Sequence, residues 1–350
     1  MRPGRQEVGT KDLIPHIRVP GSPILLVGEA PGKTDEEEGA PFVGARGQLL
    51  NDFLRLANIK RSECSLANVF NTRPEDNNVM NFCGPNWKGN PLPYLDRGKY
   101  VQQEFLPHLD ELAETIRLVS PHLIIGLGNT ACWALLHKTG ISALRGYVTT
   151  TFFGTKFLPT YHPAAVISNY KLFPVVAEDF KKAVRYANSE PLTRPSRTIC
   201  IADSLLEAKN FWSQHGAQTY SCDVETRHNQ ITCIGFSAKP THALVLPFWD
   251  DTQPHKRWWK THAEEVQAWN FVQEILSQGK AIFHNGSYDL SYLLLRHKIR
   301  VMAEIEDTMV MHHAMEPEIQ KSLGHLGSVY TDEPAWKLMR LKTDYKKDDQ

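Results

Sequence analysis

The 350-residue sequence lacks the features that mark a membrane protein or a secreted protein. No apolar run approaches the ~20 residues that a membrane-spanning helix needs, and the first residues contain no apolar stretch typical of a secretory signal. The formal net charge is zero, with 39 basic and 39 acidic residues, so any contact with nucleic acid must come from local patches. These absences predict a cytoplasmic protein without a membrane anchor.

Cysteine is also scarce, with six residues and no C-x-x-C pair. This pattern suits reduced thiols in a cytosolic protein, most of them buried as small apolar residues. What the chain does contain is a 41% hydrophobic fraction, which is sufficient for two packed domains at this length. The polar, proline-containing stretch 188–198 has linker composition. We therefore predict an N-terminal tail (1–21), a first domain (22–187), a linker (188–198), a second domain (199–340) and a charged tail (341–350).

The first domain is organised around the stretch from Gly28 to Leu50. An apolar, strand-like run ends at Gly28 and helical spacing resumes at Leu49, which predicts a long strand-to-helix loop between them. Such loops, at the carboxyl ends of strands in open α/β sheets, are where ligands bind. This loop supplies several glycines, carboxylates and the ring of Phe42, although an acidic run such as DEEE is commonly just a solvated surface.

The block GEAPGKTDEEEGAPFVGARGQLL resembles the signature of the family 4 uracil-DNA glycosylases, with two acids exchanged: Asp35 stands where the family has Glu, and Glu36 where it has Asp. Two later segments resemble the same family. Asn68, Arg73, Pro74 and Asn77 have the spacing of its second segment, and Tyr161-His162-Pro163-Ala164 stands at its T-x-H-P-A motif. The resemblance covers 22–187 and implies an α/β/α sandwich with a mainly parallel sheet.

The resemblance also implies how the base would be bound. Phe42 would stack on a uracil flipped out of the DNA, and the amide of Asn68 would pair with the Watson–Crick edge of that base. Asn77 is the third residue that the resemblance assigns to uracil binding. The implied partner is uracil-containing DNA, single- or double-stranded.

For the chemistry, the resemblance implies that His162 hydrogen-bonds O2 of the departing base while an acid of the first loop orients water and stabilises the positive sugar. Glu29 and Asp35 are both candidates for this acid, and the sequence leaves the choice between them open. The shorter side chain of Asp35 reduces its reach by one methylene relative to the family's Glu.

Members of this family usually hold a four-cysteine iron–sulfur cluster. Here no cysteine precedes Cys64, Thr72 occupies a cysteine position of the family, and the fourth ligand position falls near Leu106. We therefore predict that the glycosylase domain has no cluster and needs no cofactor.

In the second half, three strands in meander order begin at Thr219 and are followed by a helix, a strand and another helix. Asp223 and Glu225 form a D-x-E pattern on the first strand, and Asp289 starts the last helix. These segments resemble the first two motifs of DEDD-type 3′–5′ exonucleases, and in particular the proofreading domain of phage A-family DNA polymerases, over 198–336. The resemblance implies an RNase H-like mixed-sheet exonuclease domain.

Such exonucleases hold two divalent metals, Mg²⁺ or Mn²⁺, with hard oxygen ligands. The resemblance implies that Asp223, Glu225 and Asp289 are three of them. The family supplies the fourth from a later Tyr-x-x-x-Asp helix. Tyr345 and Asp349 have this spacing, but they lie in a charged tail without an apolar face, so we interpret the match as coincidence. The exonuclease domain is therefore predicted to be incomplete in this chain.

Three functional hypotheses follow for a DNA-repair or replication protein. The leading one is an active uracil-DNA glycosylase fused to an incomplete exonuclease domain. The second is a uracil- or DNA-binding accessory module of a replicative DNA polymerase without glycosylase activity. The third is a nuclease with an inactive first domain. The resemblance to phage polymerases also implies a bacteriophage source.

Overall fold

A computed structural model describes residues 13–333 of the chain, in two compact units. Within that range, the first unit comprises 13–192 together with 324–333, and the second comprises 193–323. No helix among these residues is long and apolar enough to cross a membrane. The two units are described in turn.

The first unit is built on a five-stranded sheet whose strands β1, β2, β5 and β7 are parallel and whose edge strand β6 is antiparallel. The order across the sheet is β2-β1-β5-β7-β6. A separate pair, β3 and β4, lies in the segment between β2 and β5. The strands are β1 (Ile24–Gly28), β2 (Cys64–Asn68), β3 (Cys83–Gly84), β4 (Tyr100–Val101), β5 (Leu123–Leu127), β6 (Thr149–Thr150) and β7 (Lys156–Thr160).

The helices of this unit are α1 (Lys33–Glu38), α2 (Ala45–Leu56), α3 (Leu106–Val119), α4 (Asn129–Leu136), α5 (Ile141–Leu144), α6 (Pro163–Ser168) and α7 (Phe173–Tyr186). Because side chains alternate along a strand, the sheet carries two separate apolar cores, and α2, α6 and α7 cover one face while α3, α4 and α5 cover the other. This α/β/α sandwich confirms the predicted fold class of the first half.

The long loop predicted after β1 contains a helix that the sequence analysis missed. The acidic run forms α1, which begins after Gly32 and ends at Gly39, a residue in the left-handed conformation with φ of 66°. The side chain of Asp35, the third residue of α1, accepts the backbone N–H of Gly32 and so caps its own helix. Six residues offer too short a period for a pattern-based prediction.

The second unit has a six-stranded mixed sheet. Its strands are β8 (Thr198–Ile201), β9 (Thr219–Arg227), β10 (Gln230–Lys239), β11 (His242–Pro247), β12 (Lys280–Phe283) and β13 (Glu304–Asp307). Their order across the sheet is β13-β12-β9-β10-β11-β8. Strands β9, β10 and β11 form the predicted antiparallel meander, and β12 and β13 extend it in parallel on the β9 side. This 3-2-1-4-5 arrangement of β9 to β13 is the predicted RNase H-like mixed sheet.

The helices of the second unit are α8 (Leu205–His215), α9 (His262–Ile275), α10 (Ser287–His297) and α11 (Thr308–Met315), and α12 (Leu323–Tyr330) carries the chain back to the first unit. The sequence analysis missed β8, α8 and β13. Strand β8 begins at Thr198, inside the segment predicted as a linker, and pairs only with β11 at the sheet edge. Since Ile199 and Ile201 are 61% and 56% exposed, β8 has no buried face that would show as alternation.

The segment 324–333 completes a buried polar cluster of the first unit. Arg145 pairs with Asp179, with Nε donating to Oδ2 at 3.1 Å, and its Nη1 donates to Oγ of Ser328 at 2.6 Å. Thr160, at the end of β7, also donates to Asp179, at 2.7 Å. Lys182 donates to the backbone carbonyl of Ser328 at 3.0 Å. Burial lowers the pKa of Lys182 to about 8.

Replacing Arg145 with methionine should destabilise the first unit. The substitution leaves the carboxyl of Asp179, which is 1% exposed, without its ion-pair partner, and removing one member of a buried pair costs about 3–5 kcal/mol. The measurement is urea denaturation with hydrogen exchange read on peptides of α7. The control is Arg117→Met, which removes an exposed arginine paired with Glu114 and should leave unfolding unchanged. An equally stable Arg145 variant would contradict this assignment.

Candidate functional site

The candidate residues of the first unit lie at the carboxyl ends of its four parallel strands. Asn68 ends β2, Glu29 follows β1, Gly128 follows β5, and His162 comes two residues after β7. The chain runs from β1 outward to β2, then returns to β5 on the other side of β1. Loops at such a reversal of strand order diverge and leave a crevice, where ligands of open α/β sheets bind.

The centre of this crevice is the bare Cα of Gly28. A methyl group placed there would lie 2.6 Å from Oδ1 of Asn68 and 2.6 Å from Cζ of Phe42. The amide and the aromatic ring, 26 residues apart in sequence (42 and 68), therefore converge on one point of the backbone. Any residue other than glycine at 28 would push one of them away. The structure thus brings together two of the residues that the sequence assigned to base binding.

Phe42 is held in an unusual backbone conformation, with φ of 58°, which a non-glycine residue rarely adopts without a compensating contact. Arg61 supplies contacts, since its Nη2 donates to the carbonyl of Phe42 at 3.0 Å and to that of Pro41 at 3.3 Å. A Cβ at Gly47, in α2, would collide with the same Phe42 carbonyl. The sequence analysis did not identify Arg61 as a residue that supports Phe42.

Asn68 is 3% exposed, and its side-chain amide makes no hydrogen bond to any residue between 13 and 333. Its main-chain carbonyl, in contrast, is within hydrogen-bond distance of His16. Nε2 of His16 lies 3.1 Å from the carbonyl of Asn68 and 2.6 Å from Oδ1 of Asn71, and Nδ1 lies 2.8 Å from Thr115 Oγ1. The main chain of Asn68 is therefore held in place, while its side-chain amide has no hydrogen-bond partner among the described residues.

Glu29 is the first residue after β1. Its Oε2 accepts the hydroxyl proton of Thr130, the second residue of α4. Burial raises the pKa of the Glu29 carboxyl, while the Thr130 hydrogen bond and the charge of Arg46 partly oppose the rise. Glu29 is thus a half-buried carboxylate with one oxygen engaged, at the junction of the β1 and β5 loops. The sequence analysis did not identify Thr130.

Asp35 has a different environment. Its Oδ2 accepts the N–H of Gly32 at 3.0 Å and its Oδ1 accepts the N–H of Val43 at 2.8 Å. Both carboxylate oxygens therefore hold the loop between β1 and α2 in shape. Of the two acids left open by the sequence, Asp35 is the one committed to backbone hydrogen bonds.

His162 precedes α6, and its Nδ1 accepts the backbone N–H of Ala164 at 3.1 Å. A ring nitrogen that accepts a hydrogen bond carries no proton, so the neutral ring has its proton on Nε2. Burial, with a contribution from the positive charge of Arg46, lowers the pKa of His162 to about 4. At neutral pH the side chain is therefore an uncharged imidazole that offers an Nε2–H donor.

Asn77 stands apart from these residues. It is exposed, and its Oδ1 accepts from Nε of Arg73 at 2.8 Å. Arg73 in turn donates to Glu36 at 3.0 Å. These hydrogen bonds connect the loop after β2 to α1. Among the described residues, Asn77 makes no hydrogen bond to Phe42 or Asn68.

The cysteines of the first unit do not fit a four-thiolate cluster. Cys64 lies in the core on one face of the sheet, while Cys132 and Cys83 contact the core on the other face. Burial raises the pKa of Cys64 to about 11 and that of Cys132 to about 12, which opposes thiolate ligation. Within 13–333, no cluster of three or more His, Cys, Asp or Glu has metal-binding geometry.

In the second unit, Asp223 and Glu225 lie on the exposed face of β9. Asp289, 5% exposed, accepts the backbone N–H of Val224, the residue between them, at 2.9 Å. Burial raises the pKa of Asp289 to about 6, opposed by the Val224 hydrogen bond and reinforced by the negative charge of Asp223. The three predicted ligands therefore lie in one neighbourhood, but as described they are not a metal-binding set.

Asp307, the last residue of β13, supports the same region. Its carboxylate accepts the backbone N–H groups of Gly286 at 2.7 Å, Asn285 at 3.1 Å and Met309 at 2.8 Å. Burial acts against ionisation, but these backbone donors hold the pKa of Asp307 below its usual value. Tyr345 and Asp349, whose spacing we interpret as a coincidental match, lie outside the described residues.

The first unit is an α/β/α sandwich with Glu29, Asn68 and His162 at the carboxyl ends of its parallel strands and the ring of Phe42 against Gly28. The sequence model of the Uracil DNA glycosylase superfamily matches residues 15–187. The chain is 31% identical to the type-4 uracil-DNA glycosylase of Saccharolobus solfataricus, over 49% of this chain and 74% of the relative. It is also 31% identical to that of Thermotoga maritima, over 48% of this chain and 79% of the relative. The chain belongs to the uracil DNA glycosylase superfamily and is a DNA glycosylase-type hydrolase.

Solved structures similar to the chain include NrnC of Brucella melitensis, at 14% identity and a TM-score of 0.26, covering 44% of this chain and 66% of that one. Another is an EXD2 exonuclease domain, at 12% identity and a TM-score of 0.27, covering 44% of this chain and 80% of that one. Because these TM-scores are low, the fold of the second unit is assigned from its own strand order and contacts.

The protonation state of His162 is directly measurable. In ¹⁵N-histidine-labelled protein, we expect His162 to be in the Nε2–H tautomer at pH 7 and to titrate at about pH 4, because burial and the nearby Arg46 disfavour the imidazolium. The signal is assigned with the His162→Gln variant. Titration near the unperturbed value of about 6.5, or a proton on Nδ1, would contradict this environment.

Proposed function

We propose that the first unit hydrolyses the N-glycosidic bond of deoxyuridine in DNA, releasing uracil and leaving an abasic site. The observation that carries this proposal is the convergence of the Asn68 amide and the Phe42 ring on the bare Cα of Gly28. That geometry suits a flat pyrimidine whose face meets the ring while its edge meets the amide. The family relationship supports the same activity.

Recognition requires the base to leave the DNA stack. In our proposal the flipped uracil stacks on Phe42, and the carbonyl of the Asn68 amide accepts N3–H while its NH₂ group donates to O4. Cytosine presents an amino donor where uracil has O4, so two donors would face each other. A buried polar group left unpaired costs about 1–3 kcal/mol. The unpartnered amide of Asn68 is therefore the element that would discriminate uracil from cytosine.

When the C1′–N1 bond breaks, its electron pair goes to the base and the sugar becomes cationic. We propose that the Nε2–H of His162 donates to O2 of the base as negative charge builds there. Glu29 orients the water that adds to C1′ and accepts its proton. We favour Glu29 over Asp35 because both oxygens of Asp35 are occupied by backbone N–H groups. Asn77 stays a predicted binding residue that could act only through the loop it helps to hold.

Replacing Asn68 or His162 with alanine should lower the rate of uracil release about 100-fold or more, because each removes a donor to the base. The measurement is a single-uracil oligonucleotide incubated with the protein in EDTA, then treated with alkali and analysed on a denaturing gel. Matched controls are Asn86→Ala and His122→Ala, both at exposed positions, which should keep the wild-type rate.

Unchanged cleavage by both active-site variants would contradict the assigned roles. A folded wild-type protein that binds uracil-containing DNA tightly but leaves no abasic site would instead establish a binding module.

We further propose that the second unit is a 3′–5′ exonuclease-type domain that does not cut DNA by itself. Support comes from the mixed sheet and from Asp223, Glu225 and Asp289 lying around one backbone N–H. Against activity, these carboxylates do not form a metal-binding set within the described residues. A DNA polymerase that completes the domain stays a prediction.

With Mg²⁺ or Mn²⁺ and a 5′-labelled oligonucleotide without uracil, we expect no shortening from the 3′ end above background, for the wild type and for Asp223→Ala alike. The reason is the absence of a ready metal-binding set. Metal-dependent shortening by the wild type that Asp223→Ala eliminates would show that the unit is a working nuclease and would overturn this part of the proposal.

A further inference from the structure

Strand β2 is an edge strand of the first sheet, and residues 14–17 pass antiparallel beside its outer edge. Ile17 and Leu66 exchange both of their backbone hydrogen bonds, at 2.8 and 2.9 Å. In a regular antiparallel ladder, the next hydrogen-bonded pair would be residues 15 and 68. Residue 15 is a proline, which has no N–H to donate. The backbone of this segment therefore cannot supply a donor to the carbonyl of Asn68.

The ring of His16 takes the place of the missing donor. Its Nε2 lies 3.1 Å from the carbonyl oxygen of Asn68 and 2.6 Å from Oδ1 of Asn71. Because a backbone carbonyl can only accept, Nε2 carries the proton, and the two oxygens share it. Burial lowers the pKa of His16, which favours the neutral ring that this arrangement needs.

The partners of this ring are themselves held in one orientation. Nδ2 of Asn71 donates to the carboxylate of Glu111, which leaves Oδ1 of Asn71 facing His16. Oγ1 of Thr115 accepts the Nε–H of Arg18 at 3.0 Å, so its own proton is available for Nδ1 of His16 at 2.8 Å. Each donor in this set meets an acceptor, and the ring of His16 is thereby fixed at both nitrogens.

The hydrogen bond from His16 acts on the peptide group that joins Asn68 to Val69. The carbonyl of this peptide accepts from His16, and its N–H donates to the carbonyl of Gly28 at 3.0 Å. The peptide is therefore held on both sides of β2. Its plane sets the direction of the Asn68 side chain, whose Oδ1 lies 2.6 Å from the point that a methyl group on Gly28 would occupy.

We propose that His16 is a positioning residue for base recognition, which holds the Asn68 amide, through the 68–69 peptide, in the orientation that meets the edge of the flipped uracil. The inference rests on the proposed glycosylase activity and assigns a role to a histidine outside the motifs of the resemblance. His16 itself contacts neither the base nor the sugar. Its effect comes from geometry, because a displacement of about 1 Å in a group that orients the substrate can cost about 100-fold in rate.

The test uses two amides of different length at position 16 of the full-length chain. The amide nitrogen of glutamine reaches about as far as Nε2 of histidine, whereas that of asparagine reaches only about as far as Nδ1. His16→Gln should therefore keep a donor for the Asn68 carbonyl and release uracil at close to the wild-type rate under single-turnover conditions. His16→Asn should lose that donor and slow release about 10-fold or more. The matched control is His122→Asn, at an exposed position of the same unit, which should leave the rate unchanged.

A double-mutant cycle separates positioning from a general loss of stability. In a chain that already carries Asn68→Ala, His16→Asn should cause no further loss, because no amide remains to be positioned. Thr115→Val, which removes the hydroxyl that orients the His16 ring, should slow the otherwise wild-type chain and again have no effect beside Asn68→Ala. All rates are compared at a temperature at which urea denaturation shows every variant to be folded.

Equal losses from His16→Gln and His16→Asn, or losses that multiply with that of Asn68→Ala, would overturn the inference. An active wild type with an unaffected His16→Asn variant would refute this inference alone. A wild type that releases no uracil would refute the proposed activity itself. Binding would then decide the role of His16, with His16→Asn expected to lose the preference for uracil-containing over normal oligonucleotides and His16→Gln expected to keep it.

Discussion

The first unit depends on the parallel pairing of β1 with β2 on one side and β5 on the other. This register ends with Gly28 opposite Asn68, so the amide meets a backbone that has no side chain. A slip of one residue would turn Asn68 to the opposite face of the sheet. Two apolar cores, one on each face, make such a slip costly because both would be broken at once.

The pocket is formed by close backbone approach. Gly28 admits Asn68 and Phe42, Gly47 admits the carbonyl of Phe42, and Arg61 binds that carbonyl from the other side. These contacts hold Phe42 in a left-handed conformation, which costs on the order of 1–3 kcal/mol. The ring is thereby positioned before a ligand arrives, and a preorganised stacking surface lowers the entropy that binding must overcome.

The buried and half-buried carboxylates of this chain differ in the partners that they accept. Asp35 accepts two backbone N–H groups, Asp307 accepts several, and Asp179 pairs with Arg145. Glu29 and Asp289 have fewer partners. Burial raises the pKa of Glu29, of Asp289 and also of Asp179, whereas backbone donors hold that of Asp307 below its usual value. Residue type alone could not have shown these differences.

The sequence by itself determined the strands and helices with strong periodicity, the two-sheet architecture and the positions of Asn68 and His162 at strand ends. Among the elements that it missed, α1, β8 and β13 are four to six residues long, too short for a period to show, and α8, although 11 residues long, buries only Ala208. Only the tertiary structure decided that Asp35 is a brace and that His162 is neutral with its proton on Nε2. The physical reason is that hydrogen-bond partners and fields come from distant parts of the chain, as with Thr130, 101 residues from Glu29.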